Sequence, residues 1–156
     1  MSVTLLLGSA SDAEIAKRAQ DVLRELQIPF DTFVASAHRS PDRVDELVKK
    51  SKADVFIAIA GLTNALAGVV GARTLKPVIG VPVSGKVNLD SLLSVTQLPP
   101  GMPVAAVGLD RGENAALLAA RILALQDHAL AKRLEAWRVK QEQKVVDDSK
   151  KVEGGQ

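Results

Sequence analysis

The sequence predicts a three-layer α/β/α domain built on a parallel sheet. Three observations predict it. Short apolar runs rich in β-branched residues recur at Val3–Leu7, Phe30–Val34, Val55–Ala60, Val78–Val83 and Val104–Leu109. Most are near-continuous rather than alternating, as strands covered on both faces should be. Segments of helical spacing fall between them, so strand and helix alternate in the manner of right-handed crossovers. A chain of 156 residues, 47% hydrophobic and 24% charged, has the balance of one globular domain and is too short for two of ordinary size.

The elements follow in order. Ser11 and Glu14 have capping-box spacing ahead of Ile15, Ala19, Val22, Leu23 and Leu26, which share one helix face. Ser40-Pro41 reads as an N-cap followed by proline at the first helical position, with Val44, Leu47 and Val48 as the apolar face. Helices are expected over Asn64–Arg73 and Leu89–Leu98, and Asp110 with Glu113 repeats the capping-box spacing before Ala115–Leu125. The α/β unit therefore occupies residues 1–126. A further helix is expected over 127–148, where Leu130, Leu134 and Trp137 stand at i, i+4 and i+7. The unit before it looks complete, so this stripe is read as docking on a neighbouring subunit, and 149–156 as a flexible polar tail.

Composition removes several function classes. With no cysteine there is no disulfide framework, thiol nucleophile or cysteine zinc site. Two histidines, His38 and His128, cannot build a histidine-rich metal centre, and no carboxylate cluster replaces one, so no metal or cofactor is expected. His128 is read as a surface or interface residue. A net charge of +2 and 3% aromatics, with no tyrosine and one tryptophan, argue against nucleic acid. No apolar run reaches the roughly 18–20 residues of a membrane span. Met1-Ser2-Val3-Thr4 lacks the features of a signal peptide, so a cytoplasmic location is expected.

In an open parallel sheet, ligands bind beyond the carboxyl ends of the strands. Three loops carry suitable residues there. Gly8-Ser9-Ala10-Ser11-Asp12 offers backbone N–H groups and two hydroxyls to a phosphate, and Asp12 can accept from a ribose diol; equally, Ser11 can simply cap the helix. In Ser36-Ala37-His38-Arg39-Ser40-Pro41, an imidazole suited to moving protons stands beside a planar guanidinium fork; a capped turn with two solvated side chains is the plainer reading. Ala60-Gly61-Leu62-Thr63-Asn64-Ala65-Leu66-Ala67-Gly68, with two glycines and small residues, allows close approach of backbone to ligand, or is only a tight turn. Converging on one sheet edge, the three point to a nucleotide-like ligand.

Taken in order, these loops, together with Pro77-Val78-Ile79-Gly80-Val81-Pro82, Asp90-Ser91-Leu92-Leu93-Ser94, Gln97-Leu98-Pro99 and Asn114-Ala115-Ala116-Leu117-Leu118-Ala119-Ala120, resemble the aminoimidazole ribonucleotide carboxylase/mutase family of purine biosynthesis. The resemblance runs from about residue 3 to 147. It implies a flavodoxin-like sheet, a homo-octamer or in some members a tetramer, a C-terminal helix reaching neighbouring subunits, and a nucleotide substrate with CO2 and no cofactor. It implies His38 as the proton carrier. Ser9, Ser11 and Asp12 would hold the ribose and phosphate end, and Ser36 and Arg39 the phosphate. Gly61, Thr63, Asn64 and Ala65 would shape a pocket for CO2 and carboxylate through backbone and amide donors.

The family has two branches. Mutases move a carboxylate from N5 of N5-carboxyaminoimidazole ribonucleotide to ring carbon C4, and typically read Gly-Ala-Gly-Gly-Ala-Ala-His-Leu-Pro-Gly in the third loop. Carboxylases add free CO2 to C4. Here the loop is shorter by two residues, Ala65 replaces the second histidine, and Gly61 to Gly68 looks like the carboxylase loop. Asp147-Asp148-Ser149-Lys150 also looks carboxylase-like, whereas Ala37-His38-Arg39 has the mutase form and Leu62 departs from the carboxylase arginine. The loop favours direct carboxylation of aminoimidazole ribonucleotide, with the mutase as the alternative. A non-catalytic flavin- or nucleotide-binding module is the alternative from another class, weakened by the lack of aromatic residues to sandwich a flavin ring.

Overall fold

The computed structural model describes residues 1–153. Its five parallel strands are β1 (Val3–Leu7), β2 (Phe30–Val34), β3 (Val55–Ala60), β4 (Val78–Pro82) and β5 (Ala105–Ala106), in the order β2-β1-β3-β4-β5. The helices are α1 (Ala13–Glu25), α2 (Pro41–Lys50), α3 (Ala65–Gly71), α4 (Asn88–Thr96), α5 (Gly112–Ala124) and α6 (His128–Glu153). This is the expected three-layer α/β/α architecture, with the strand order of flavodoxin-like sheets. Among the described residues no helix is long and apolar enough to cross a membrane.

β1, β3 and β4 are buried at every residue, which is why their sequences are near-continuously apolar; the one polar side chain, Thr4, shares a hydrogen bond with Ser51. Val3, Leu5, Leu7, Ile57, Ile59 and Val81 pack into one core with α1 and α5. Leu6, Phe56, Ala58 and Val78 point the other way, into a second core with α2, α3 and α4. Each such aliphatic side chain contributes about 1.5–3 kcal/mol on burial, so the central strands are held from both faces.

Four local expectations are corrected. The expected strand over 104–109 shrinks to Ala105–Ala106, because it lies at the sheet edge, pairs only with Ile79 and Gly80, and is bracketed by Pro103 and Gly108. The first capping box belongs to Ser9 and Asp12 rather than to Ser11 and Glu14, because a 3-10 turn over Ala10–Asp12 precedes α1. Asp110 does not cap α5. It adopts a positive φ of 60°, and its Oδ1 accepts the Ser84 N–H at 2.8 Å, joining the loops after β4 and β5.

The fourth concerns the C-terminal helix. Leu130 is 2% exposed within the α1–α5 core, Leu134 and Trp137 pack against that core, and Arg133 Nε donates to Leu26 O at 2.8 Å. The apolar stripe thus covers its own subunit. The core of the α/β unit therefore extends into this helix, since Leu130 is a buried member of the cluster that also holds Leu26 and Leu123. α6 also runs to Glu153, through the first part of the expected tail; residues 154–156 lie outside the described residues.

α1 and α5 meet where Gly112 opens α5. A Cβ on Gly112 would run into the backbone oxygen of Ile15, which cannot rotate away. Gly112→Ala is expected to lose about 1–3 kcal/mol of stability in urea denaturation, the usual cost of overpacking. An unchanged midpoint would mean that the helix pair can slide apart.

Candidate active site

The strand ladders continue past the carboxyl ends of the strands and fix the loops. Gly8 N donates to Ile59 O at 2.9 Å, Ala35 N to Leu7 O at 2.8 Å, and Val83 N to Ala60 O at 2.9 Å. The loops after β1, β2 and β3 therefore start in one row. Gly8 permits their close approach, since a Cβ there would stand 2.9 Å from the Ala60 Cβ.

They enclose a cleft of about 440 Å³, lined by Gly8, Ser9, Ser11, Asp12, Ser36, Ala37, His38, Arg39, Ala60 and residues 61–66. All ten residues expected at a site are on its wall: Ser9, Ser11, Asp12, Ser36, His38, Arg39, Gly61, Thr63, Asn64 and Ala65. Of the two histidines, His38 lines it, while His128 is exposed at the start of α6. The lining includes no aromatic residue, so nothing there would sandwich a flavin. Among the described residues no group of His, Asp and Glu could hold a metal ion.

Hydroxyls shape the β2 loop. Ser40 Oγ accepts the Ser36 N–H at 3.0 Å instead of capping α2, and Ser36 Oγ accepts from Arg39 N at 3.2 Å. The Arg39 guanidinium then spans two loops, with Nε on Ser36 Oγ at 3.3 Å and Nη2 on Gly8 O at 2.9 Å. It remains exposed, a fork ready for an anion. In the β1 loop, Asp12 is 5% exposed and accepts the Ser9 N–H at 2.9 Å. Burial pushes its carboxyl above the usual value, against the Ser9 N–H, the Ser11 hydroxyl and the Arg39 charge, which pull it down.

The third loop differs from expectation in one respect. Asn64 Nδ2 donates to Val81 O at 3.2 Å, so the amide donor expected to face a carboxylate is committed to β4. Leu62 and Leu66, within the third candidate loop but assigned no contact from the sequence, also line it. Leu62 is 78% exposed with φ 51°, and Leu66 is fully buried at the start of α3. No sequence signal separates such a leucine from an ordinary core residue.

Residues 2–144 match the family described as AIR carboxylase. The chain belongs to the AIR carboxylase family. It is 55% identical to a Methanocaldococcus jannaschii protein named N5-carboxyaminoimidazole ribonucleotide mutase, over 96% of each chain. A Methanobrevibacter smithii protein named as a probable mutase is 47% identical, and the chain spans 45% of its length. Among solved structures, Treponema denticola PurE superposes with a TM-score of 0.86 at 30% identity, over 96% of each chain.

These relatives overturn one expectation. Direct carboxylation was favoured on the short third loop and on Ala65 in place of a histidine, yet a family member 55% identical along nearly its whole length is named a mutase. The carboxylase-like third loop of this chain therefore does not by itself assign its branch.

The raised Asp12 carboxyl has a consequence for stability. Folding favours its protonated form, so its contribution is full below the unfolded value of 3.8 and is lost as pH rises through the raised folded value. At neutral pH the ionised, desolvated carboxylate opposes folding. Asp12→Asn should raise the thermal midpoint at pH 7, with the gap closing as pH falls toward 3.8. Asp45, Glu46 and Asp127 shift downward, led by hydrogen bonds from Lys49, Lys50 and the Leu130 N–H. Both proteins share these groups, so they cancel in the comparison. A gap that stays constant with pH would show that Asp12 is not the cause.

Proposed function

We propose that the protein is an N5-carboxyaminoimidazole ribonucleotide mutase of purine biosynthesis. The observation that carries this reading is the 55% identity, over 96% of both chains, to a protein of that name. The cleft supports it, with an anion fork at Arg39, a buried acceptor at Asp12 and one imidazole at His38. Arg39, Ser36, Ser9 and Ser11 receive the phosphate end, Asp12 the ribose diol, and the 61–65 loop surrounds the carboxyl group in transit.

The reaction needs two proton transfers, one onto N5 and one from C4. Protonated His38 gives its proton to N5 as the N5–carboxyl bond breaks, leaving the free amine and CO2 in the cleft. C4, an enamine-like carbon, attacks the CO2 carbon held beside it, where proximity replaces a bimolecular encounter. Neutral His38 takes the C4 proton, which restores the aromatic ring and returns the imidazole to its starting state. Atoms and charge balance without a second base. Ala65 in place of a second histidine therefore removes nothing that this cycle requires.

The protein works in the cytoplasm as a homo-oligomer, an octamer or alternatively a tetramer. Residues 142–153 of α6 are exposed throughout, and a free helix of that length is marginal in water. This distal half of α6, carrying Val145, Val146 and Val152, is the segment proposed to meet a neighbouring subunit.

With N5-carboxyaminoimidazole ribonucleotide in labelled bicarbonate, the product should carry almost no label. His38→Asn should lower turnover at least ~10²-fold while substrate still binds, the scale for losing a general acid–base. Full incorporation of label, or near-normal turnover in the variant, would overturn the mutase cycle. Deleting residues 142–156 should yield a smaller particle by light scattering with the domain still folded; an unchanged mass would remove the assembly role of α6.

A further inference from the structure

Asn64 sits where an asparagine usually caps a helix, just before Ala65, yet its side chain makes no capping hydrogen bond to α3. It is 2% exposed and holds a left-handed backbone, φ 27° and ψ 47°, with its N–H on Gly61 O at 3.0 Å. Nδ2 donates to Val81 O. That bond fixes the sense of the amide, because the flipped form would set two acceptors against each other. Oδ1 is then left buried and without a hydrogen-bond partner, a rare state for a polar atom in a folded protein. A strained, buried residue on a cleft wall, with one unpartnered acceptor, marks a place where a ligand donor completes the structure.

We propose that Asn64 Oδ1 accepts a hydrogen bond from the exocyclic amine of the aminoimidazole ring and so selects for ligands that carry this N–H. This rests on the nucleotide-substrate reading above. Phosphate and carboxylate only accept, so they cannot satisfy Oδ1. The ribose hydroxyls can donate, but Asp12 on the β1 loop is the charged acceptor placed for them. Across the sheet, Arg39 follows β2, Asp12 follows β1, and Asn64 follows β3 and is bonded to β4. A nucleotide with its phosphate at Arg39 and its ribose at Asp12 brings its ring end to Asn64. The exocyclic N–H is present both before and after the carboxyl group leaves N5, so the contact persists through the transfer.

The test compares two ligands by calorimetry on the full chain: aminoimidazole ribonucleotide, and imidazole ribonucleotide, which has hydrogen in place of the amine. The wild type should bind the amine at least about 10-fold more tightly, the scale for leaving a buried acceptor unpaired. Glycine tolerates the backbone of residue 64, so Asn64→Gly should fold and bring the two affinities together, with ribose 5-phosphate affinity unchanged. Equal affinities in the wild type would mean that a water satisfies Oδ1, and would overturn this proposal alone. A preference that survives Asn64→Gly would overturn it as well. Failure of the wild type to bind either ligand would overturn the nucleotide reading with it.

Discussion

The architecture depends on one constraint, the complete burial of β1 between β2 and β3. Val3, Leu5 and Leu7 fill one core and Leu6 the other, so the strand cannot shift without exposing apolar surface on both faces. Its carboxyl end is therefore a fixed point. Gly8 N is held by Ile59 O, Leu7 O holds Ala35 N, and Gly8 has no Cβ to keep Ala60 away. Three loops far apart in sequence are brought around one cleft by this placement, without any contact designed for a ligand. Chemistry at the site is thus inherited from the sheet order, and the loops supply only its details.

Those details pull against stability. Asp12 is buried at a cost and partly compensated by the Ser9 N–H, the Ser11 hydroxyl and Arg39. Arg39 bridges two loops yet leaves its guanidinium exposed, where an exposed contact adds little to folding. Asn64 is strained and carries an unpaired oxygen. Each of these residues is costly or neutral in the empty protein, and each faces the same cavity. Local conflict collected in one place, inside an otherwise consistent fold, is what a binding site produces.

Much of this is legible in the sequence, for physical reasons that can be named. β1, β2 and β3 match their apolar runs residue for residue, because burial on both faces keeps β1 and β3 apolar except at Thr4, whose hydroxyl is hydrogen-bonded to Ser51. The site residues are legible because polar groups concentrate in the short loops directly after these strands. What is not legible depends on distance in the chain. The Asn64–Val81 bond spans 17 residues and the Asp110–Ser84 bond 26, so no local spacing announces either. Asp110 and Glu113 have the spacing of a capping box, but a tertiary hydrogen bond to the β4 loop takes the carboxylate that a cap would need. The stripe of Leu130, Leu134 and Trp137 is visible as a pattern, while what it covers depends on a gap beside Leu26 and Leu123 that only packing reveals.

The branch of the family shows the same limit at the level of chemistry. A missing histidine at Ala65 looks decisive if each proton transfer is assigned its own base. An isomerisation, however, releases at C4 the proton that it consumed at N5, so a single imidazole serves both ends if it can reach both atoms. Loop composition then constrains where the carboxyl group lies, not which reaction occurs. On the mutase reading proposed above, the loop's one side-chain amide is committed to Val81 O, and the proton transfers are assigned to His38, which lines the same cleft. What distinguishes transfer within the cleft from capture of CO2 from solution is how long the released CO2 stays beside C4. That is a property of enclosure, set by how completely the 61–66 loop and its exposed Leu62 cover the cleft when a nucleotide fills it.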